Sequence, residues 1–377
     1  MKTLHFHPFV MSFLLSAVCL LTSCYHKPST PVGSFARGGD ISWLSEMEHD
    51  SVRFYDLEGK EGDCMDIMQS MGMNAVRLRV WVNHSTGWSN KADVVYLAKR
   101  AAKQGLRVMI DFHYSDFFAD PAHQAIPEAW KEYDYEQLCA AVRMHTLDVL
   151  YTLKEAGVKP EWVQIGNETP NGMLWPIGKV EYNPEADPQK DQQWAQYAGL
   201  TMAGYKAAKE AFKEIVVIIH VDNAYVYRDW FFHSLLAHGC EFDMIGLSHY
   251  PMMQEWTGLP WQEVNIRAEE NIKKLITTFH KPVMVAEVGI KNIAWQDGQL
   301  LPADSIAALS NAVMTDFVNR VCAIDSCMGI FYWEPQVYGG WKPAEYIPLG
   351  WGSYEMGALT EEGKPTPALQ TLFNAKK

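Results

Sequence analysis

The chain has 377 residues, 48% of them hydrophobic and 20% charged, with 14 Trp, 17 Tyr and 16 Phe. That composition is globular, too apolar for disorder and too mixed for a fibre, and the length suits one large domain or two of ordinary size. Forty-five acids against 32 bases leave a formal charge of −13 without a Lys/Arg stripe, so the electrostatic footprint of a nucleic-acid binder is missing. A neutral, flat-faced partner such as a sugar fits so many aromatic side chains better.

The N-terminus reads as an address. Lys2 precedes the apolar run Pro8-Phe-Val-Met-Ser-Phe-Leu-Leu-Ser-Ala-Val-Cys-Leu-Leu21, which ends in Thr22-Ser23-Cys24. A basic start, a short apolar stretch and small residues describe a secretory signal peptide over residues 1–23. Leu21-Thr-Ser-Cys24 resembles a bacterial lipobox, in which Cys24 becomes the lipidated first residue of the mature protein. The alternative is ordinary secretion with cleavage near Ser23. Residues 24–35, rich in Pro, Ser and Thr, form a flexible tether to a domain over 36–377. Cys64, Cys139, Cys240, Cys322 and Cys327 have neither the parity nor the spacing of a disulfide framework or a zinc site. A Cys322–Cys327 bridge is conceivable in an oxidising compartment, but buried thiols are the expectation.

Beyond the tether one unit recurs, a short apolar β-rich run followed by a longer amphipathic stretch. The runs are Ala36–Ile41, Asn74–Trp81, Leu106–His113, Trp162–Glu168, Ile215–Val221, Asp243–His249, Pro282–Glu287 and Met328–Glu334. Helical stretches such as Lys91–Gln104, Glu136–Ala156, Asp191–Phe212 and Pro302–Ile324 alternate with them. Eight strands alternating with helices predict an α/β protein, a single (β/α)8 TIM barrel. Nearly every run ends on or beside a polar or aromatic residue: Asp40, Trp81, His113, Glu168, His249-Tyr250, Glu287, Trp333-Glu334. The C-terminal strand ends are where such barrels gather their active sites.

Two carboxylates stand out. Glu168 closes the fourth run and Glu287 the seventh. Ends of those strands face each other across a barrel mouth, compatible with the roughly 5–5.5 Å spacing of a retaining glycosidase, where one carboxylate attacks and the other protonates the leaving oxygen. Each alone reads as a strand-end cap or ion-pair partner; the matched pair reads as catalysis. Asn167, beside Glu168, is placed to donate to a sugar 2-hydroxyl.

The segments Gly39-Asp-Ile-Ser42, Val76-Arg-Leu-Arg-Val-Trp-Val82, Asp111-Phe-His-Tyr-Ser-Asp-Phe-Phe-Ala-Asp-Pro121, Val163-Gln-Ile-Gly-Asn-Glu168, Tyr250-Pro251, Ala286-Glu-Val288 and Phe331-Tyr-Trp-Glu-Pro335 together resemble glycoside hydrolase family 53, the arabinogalactan endo-β-1,4-galactanases. The resemblance covers nearly the whole mature chain. It implies that Glu168 is the proton donor and Glu287 the nucleophile, that Arg77 holds the nucleophile ionised, and that Tyr250 hydrogen-bonds Glu287. It also implies that Trp333 is a stacking platform for a sugar. His113 and Asp116 are candidates for polar sugar contacts, and Trp81, Trp88, Trp175, Trp341 and Trp351 for more distant subsites. Asp40 and Glu334 are supporting residues or strand-end caps, Arg79 shares the strand parity of Arg77, and His249 reads as packing. For Arg77 a structural ion pair is an equal alternative, and for any single Trp without a strand-end position core packing is the favoured one.

Some bacterial members carry an Asp/Asn-rich calcium loop after strand seven. Here Val288-Gly-Ile-Lys-Asn-Ile-Ala-Trp-Gln-Asp-Gly298 holds one acid, too few for about six oxygen ligands, so no metal and no other cofactor is expected. The implied substrate is β-1,4-galactan, cleaved internally, and the implied site of action is the outer membrane at the cell surface through the Cys24 lipid, with periplasmic or secreted protein as alternatives. A monomer is expected. Two other readings remain: the same barrel and mechanism on mannan, xylan or glucan, and a non-catalytic glycan-binding lipoprotein.

Overall fold

The computed structural model describes residues 34–254, 257–292, 295–296, 299–338, 340–341, 343–344, 346 and 355–377. The signal peptide, Cys24, Trp351 and part of the 288–298 loop lie outside the described residues. In chain order, β1 (Ala36–Asp40) and α1 (Leu44–His49) precede a hairpin of β2 (Phe54–Tyr55) and β3 (Glu61–Gly62), then α2 (Cys64–Ser70) and β4 (Ala75–Val80). Next come α3 (Lys91–Lys103), β5 (Arg107–Phe112), α4 (Tyr135–Glu155), β6 (Trp162–Ile165), α5 (Pro188–Ala211), β7 (Val216–Val221), α6 (Asp229–Ala237) and β8 (Met244–His249). The chain continues through α7 (Trp261–Phe279), β9 (Val283–Val288), a hairpin of β10 (Trp295–Gln296) and β11 (Gln299–Leu300), α8 (Ala303–Cys322), β12 (Cys327–Trp333) and α9 (Pro367–Phe373).

Several helices begin where the sequence offers caps. Asn90 accepts from the Asp93 N–H at the start of α3, Asp134 and Gln137 close a capping box on α4, and Asp187 caps α5 with Pro188 just inside it. Eight strands close into a parallel barrel in the order β1-β12-β9-β8-β7-β6-β5-β4. They are buried on both faces, which is why they read as nearly continuous apolar runs rather than as alternating ones. Six fall within the runs expected from sequence, and β9 and β12 each reach one residue beyond theirs, to Val288 and back to Cys327. The fourth ends early, because β6 stops at Ile165 and Gly166-Asn167-Glu168 form a turn with positive φ at Gly166 and Glu168.

Inside the barrel the strands alternate. Ala36, Ala75, Met109, Trp162, Ile218, Met244, Met284 and Phe331, one from each strand, fill the lower lumen as a separate apolar cluster. Gly38 faces this plug because nothing larger fits: a Cβ there would lie 2.1 Å from the Phe331 ring. Two residues further along β4, β5, β6 and β7 the inward positions turn polar, with Arg77, Asp111, Gln164 and His220, then Asp40, Arg79 and Ser248 lie above them. Strict alternation from Met284 would bring Ala286 inward and turn Glu287 out. The ladder slips at this point: Leu247 pairs with Val285 but Ser248 with Glu287, and on the other side Ile330 pairs with Val285 but Tyr332 with Val288. One extra residue in β9, a bulge, re-aims Glu287 into the lumen.

The outer core, including Trp43, Leu97, Leu150, Trp194, Phe231, Ile272 and Phe317, packs the helices on the barrel. All five cysteines described are unbridged.

Candidate active site

Arg77 organises the upper lumen. Its Nη1 meets Asp40 Oδ2 at 2.5 Å, and its Nη2 meets Asp111 Oδ2 and Glu287 Oε1 at 2.9 Å each. Nε donates to Gln164 Oε1 at 2.7 Å and Nη2 to Asn167 Oδ1 at 2.8 Å. Burial opposes its charge, but Asp111, Glu287 and Asp40 together hold the guanidinium protonated more firmly than usual. Asp111 is likewise pushed up by burial and pulled down further by Arg77 and His113, so it stays ionised.

Glu287 sits between this guanidinium and the Tyr250 hydroxyl, which donates to Oε2 at 2.5 Å. Glu168 reaches the same space from the turn after β6. Ser248 stands between the two: its Cα is the ladder partner of Glu287, and its hydroxyl favours the Glu168 anion. β7 and β8 separate the two strands, and the carboxyls meet across the lumen closely enough for the Glu287 charge to act on Glu168. Burial raises both, and the Glu287 charge then raises Glu168 well above the ordinary carboxylate range. At Glu287, Arg77 and the Tyr250 hydroxyl oppose the rise. The pair titrates together, with its anion on Glu287 and its proton on Glu168.

Asn167 is locked. Its Oδ1 accepts from Arg77, its Nδ2 donates to the Ala119 carbonyl at 2.8 Å, and one amide hydrogen is left for a ligand. Asp40 is fully buried, with Oδ1 on the Ser42 hydroxyl and N–H and Oδ2 on Arg77. His113 has both nitrogens engaged, Nε2 with Asp111 Oδ2 and Nδ1 with the Ala119 N–H, each at 2.9 Å. Asp116 staples loops: Oδ1 accepts from the Asn83 N–H at 2.9 Å and Oδ2 from the Glu128 N–H at 2.8 Å. Both residues therefore shape the wall through backbone bonds, a role that their place at the mouth of strand three did not reveal.

The aromatic residues divide by exposure. Trp333 is 9% exposed, beside Trp43 at 5.8 Å and edge-on to Tyr250 at 6.4 Å between centroids. Trp341 is half-buried and packs edge-on against Trp43 at 5.5 Å, its Nε1 donating to Asp50. Trp81 is fully buried, covered by Phe117 and Phe118 and by the Arg79 guanidinium 4.8 Å from its ring, so its face is closed to a sugar. Trp88 stacks near His49 and Trp175 donates to the Asn171 carbonyl. Arg79 pairs with Glu334 at 2.9 Å; burial, only partly offset by Arg79, lifts Glu334 to about 8. His249 lies flat on Phe317 at 4.0 Å, a packing contact.

Sequence reasoning missed Gln164, His220, Ser248 and Trp43. The first three carry a readable signal, a polar residue at the inward parity of an otherwise apolar strand, as in Val216-Val-Ile-Ile-His-Val221. Among the described residues no group of three or more His, Cys, Asp or Glu is arranged to hold a metal ion.

The sequence profile described as glycosyl hydrolase family 53 matches residues 36–372. A probable arabinogalactan endo-β-1,4-galactanase A of Aspergillus fumigatus is 32% identical over 313 residues, covering 79% of this chain and 83% of its own. An endo-β-1,4-galactanase of Bacillus subtilis is 28% identical over 393 residues, covering 91% and 86%. A solved fungal β-1,4-galactanase superposes with a TM-score of 0.76 at 28% identity, covering 91% of this chain and all of the other.

Proposed function

The chain belongs to glycosyl hydrolase family 53, and from that membership we infer its chemistry: it is a glycosidase, an endo-β-1,4-galactanase that cuts galactan and type I arabinogalactan internally with retention of configuration. In this reading Glu287 attacks the anomeric carbon while Glu168 protonates the departing oxygen, and the glycosyl-enzyme is then opened by a water that Glu168 deprotonates. The observation that carries the assignment is the unequal treatment of two carboxyls that share the upper lumen. Glu287 touches a guanidinium and a phenol that favour its anion, whereas Glu168 faces that anion and keeps its proton.

The remaining residues follow from position. The free amide hydrogen of Asn167 meets the 2-hydroxyl of the sugar under attack, and Trp333 offers its indole to the apolar face of the same ring. Trp341, reached from Trp333 through Trp43, supports a sugar further along the chain. Arg77 and Asp40 act behind them as one charged brace. Reducing-sugar release from potato galactan tests the reading, with Glu168→Ala and Glu287→Ala each expected to lose activity at least about 1000-fold. Full activity in either variant overturns the assignment, and activity on mannan, xylan or glucan with none on galactan moves the specificity.

We further propose that Cys24 carries a lipid and holds a monomeric enzyme at the outer membrane, facing the cell surface, where the polymer is too long to enter uncut. Palmitate labelling lost in Cys24→Ala, protease accessibility on whole cells and light scattering of the soluble domain check anchor, face and oligomeric state in turn.

A further inference from the structure

We propose that His220 and Ser248 form a positioning relay for the proton donor, in which the Nε2–H tautomer of His220 aims the Ser248 hydroxyl proton at the Glu168 carboxylate so that Glu168 can ionise for the second half of the cycle. The inference rests on the reading of Glu168 as acid and base given above.

His220 projects from β7 into the lumen and is fully buried. Its Nε2 lies 2.9 Å from Ser248 Oγ. Three polar atoms face Nδ1: Gln164 Nε2 at 3.0 Å, Asn167 Oδ1 at 2.9 Å and the Glu168 backbone nitrogen at 3.3 Å. The two amides cannot be turned round. Gln164 Oε1 accepts from Arg77 while its Nε2 also donates to Asp111 Oδ1 at 3.1 Å, and Asn167 Nδ2 donates to the Ala119 carbonyl. Nδ1 therefore meets two donors and one acceptor. A proton on Nδ1 would leave the Glu168 N–H and one of the two Gln164 amide hydrogens without a partner and would make Ser248 donate to Nε2. With Nδ1 as acceptor both donors are satisfied, and Asn167 Oδ1 keeps its bond from Arg77. The proton sits on Nε2 and is donated to Ser248 Oγ, and the serine's own hydrogen is left to turn toward Glu168, whose backbone N–H already rests on the same ring and whose anion the hydroxyl favours. Gly246, on the same inward face, gives the ring room, since a Cβ there would lie 3.3 Å from it.

The ring keeps a single proton. Burial disfavours a second one, Arg77 and His113 repel it, and Asp111 attracts it too weakly to compensate. Around Glu168, burial and the charges of Glu287 on β9, Asp222 after β7 and Asp120 after β5 all retain the carboxyl proton, and Ser248 opposes them. Asp222 is itself paired with Arg228 at 2.9 Å, and the Tyr250 phenol stays protonated beside Glu287 and Glu168. Proton donation in the first step needs that retention. Drawing a proton from water in the second step needs the anion, which a hydroxyl donor stabilises. Glu168 gives its proton to the glycosidic oxygen and regains one from the attacking water, while His220 and Ser248 keep theirs throughout.

The test compares wild type, Ser248→Ala and Ser248→Thr. In Ser248→Ala the alkaline limb of kcat/KM on galactan should move up by about one pH unit, and hydrolysis of the glycosyl-enzyme from a dinitrophenyl galactobioside should slow about tenfold at pH 6. Ser248→Thr should restore both. Nitrogen NMR of histidine-labelled wild type, with His220 assigned by His220→Gln, should show neutral Nε2–H between pH 5 and 8. An Nδ1–H tautomer, an imidazolium in that range, or an unmoved alkaline limb in Ser248→Ala overturns the relay. Galactan hydrolysis that survives Glu168→Ala instead overturns the catalytic reading, and the tautomer measurement, made without substrate, separates the two failures.

Discussion

The lower and upper lumen of the barrel are built on the same eight strands from opposite materials. Below, Ala36, Met109, Trp162 and Phe331 close the space with methyl groups and rings that need only to fit. Above, Asp40, Arg77, Asp111, Gln164 and His220 occupy a comparable space with groups that must all be partnered, and each hydrogen bond fixes the next side chain. The contrast separates what makes the barrel close from what makes it react. A hydrophobic layer tolerates exchange at similar volume, whereas a buried ionic layer fails when one member leaves.

Glu287→Gln strains that division most. It should lower kcat/KM on galactan by three orders of magnitude or more, with thermal unfolding little changed, because the carboxamide still reaches Arg77 and Tyr250. Phe331→Ala tests the other end: a loss of about 3–5 kcal/mol in urea unfolding, with the pH profile of the remaining folded enzyme unmoved. Arg77→Met should cost stability on a similar scale, about 3–5 kcal/mol, by stranding Asp40, Asp111 and Glu287, but here the pH profile should collapse as well. Should Arg77→Met leave activity intact, the division falls.

Two smaller effects sharpen it. Tyr250→Phe removes a donor that favours the Glu287 anion, so the acid limb of kcat/KM should rise by about one pH unit. Glu168 holds its proton above the ordinary value of 4.5, so between that value and its raised one the folded state binds more protons than the unfolded one. Stability from this group is present at low pH and lost as pH climbs. Glu168→Gln should therefore melt within a degree or so of wild type near pH 4 and progressively above it towards pH 8, as read by calorimetry.

The barrel was legible because its strands are buried on both faces and several of its helices carry caps; Lys91–Gln104, expected to be helical, is α3 to within a residue. The carboxylates were legible because a charged residue at the end of an apolar run is expensive without a purpose. Which wall residues would turn their polar atoms toward backbone was not legible. Asp116 and His113 look like ligand groups in the sequence, and only the loops folding over them engage those atoms. Gln164, His220 and Ser248 were overlooked since one polar residue in a strand attracts no notice until its neighbours on other strands are known.

The slipped ladder at Ala286 has a consequence for how such an enzyme is lost. Were β9 to keep Ala286 but alternate strictly, the alanine would take the inward place and the nucleophile would rotate out toward the helices, leaving a sound barrel with nothing to attack a sugar, whereas a chain lacking Ala286 pairs evenly and still brings Glu287 inward opposite Ser248. Chemistry here is one slip of register away from silence with no residue type altered, a failure that substitution scanning would never visit.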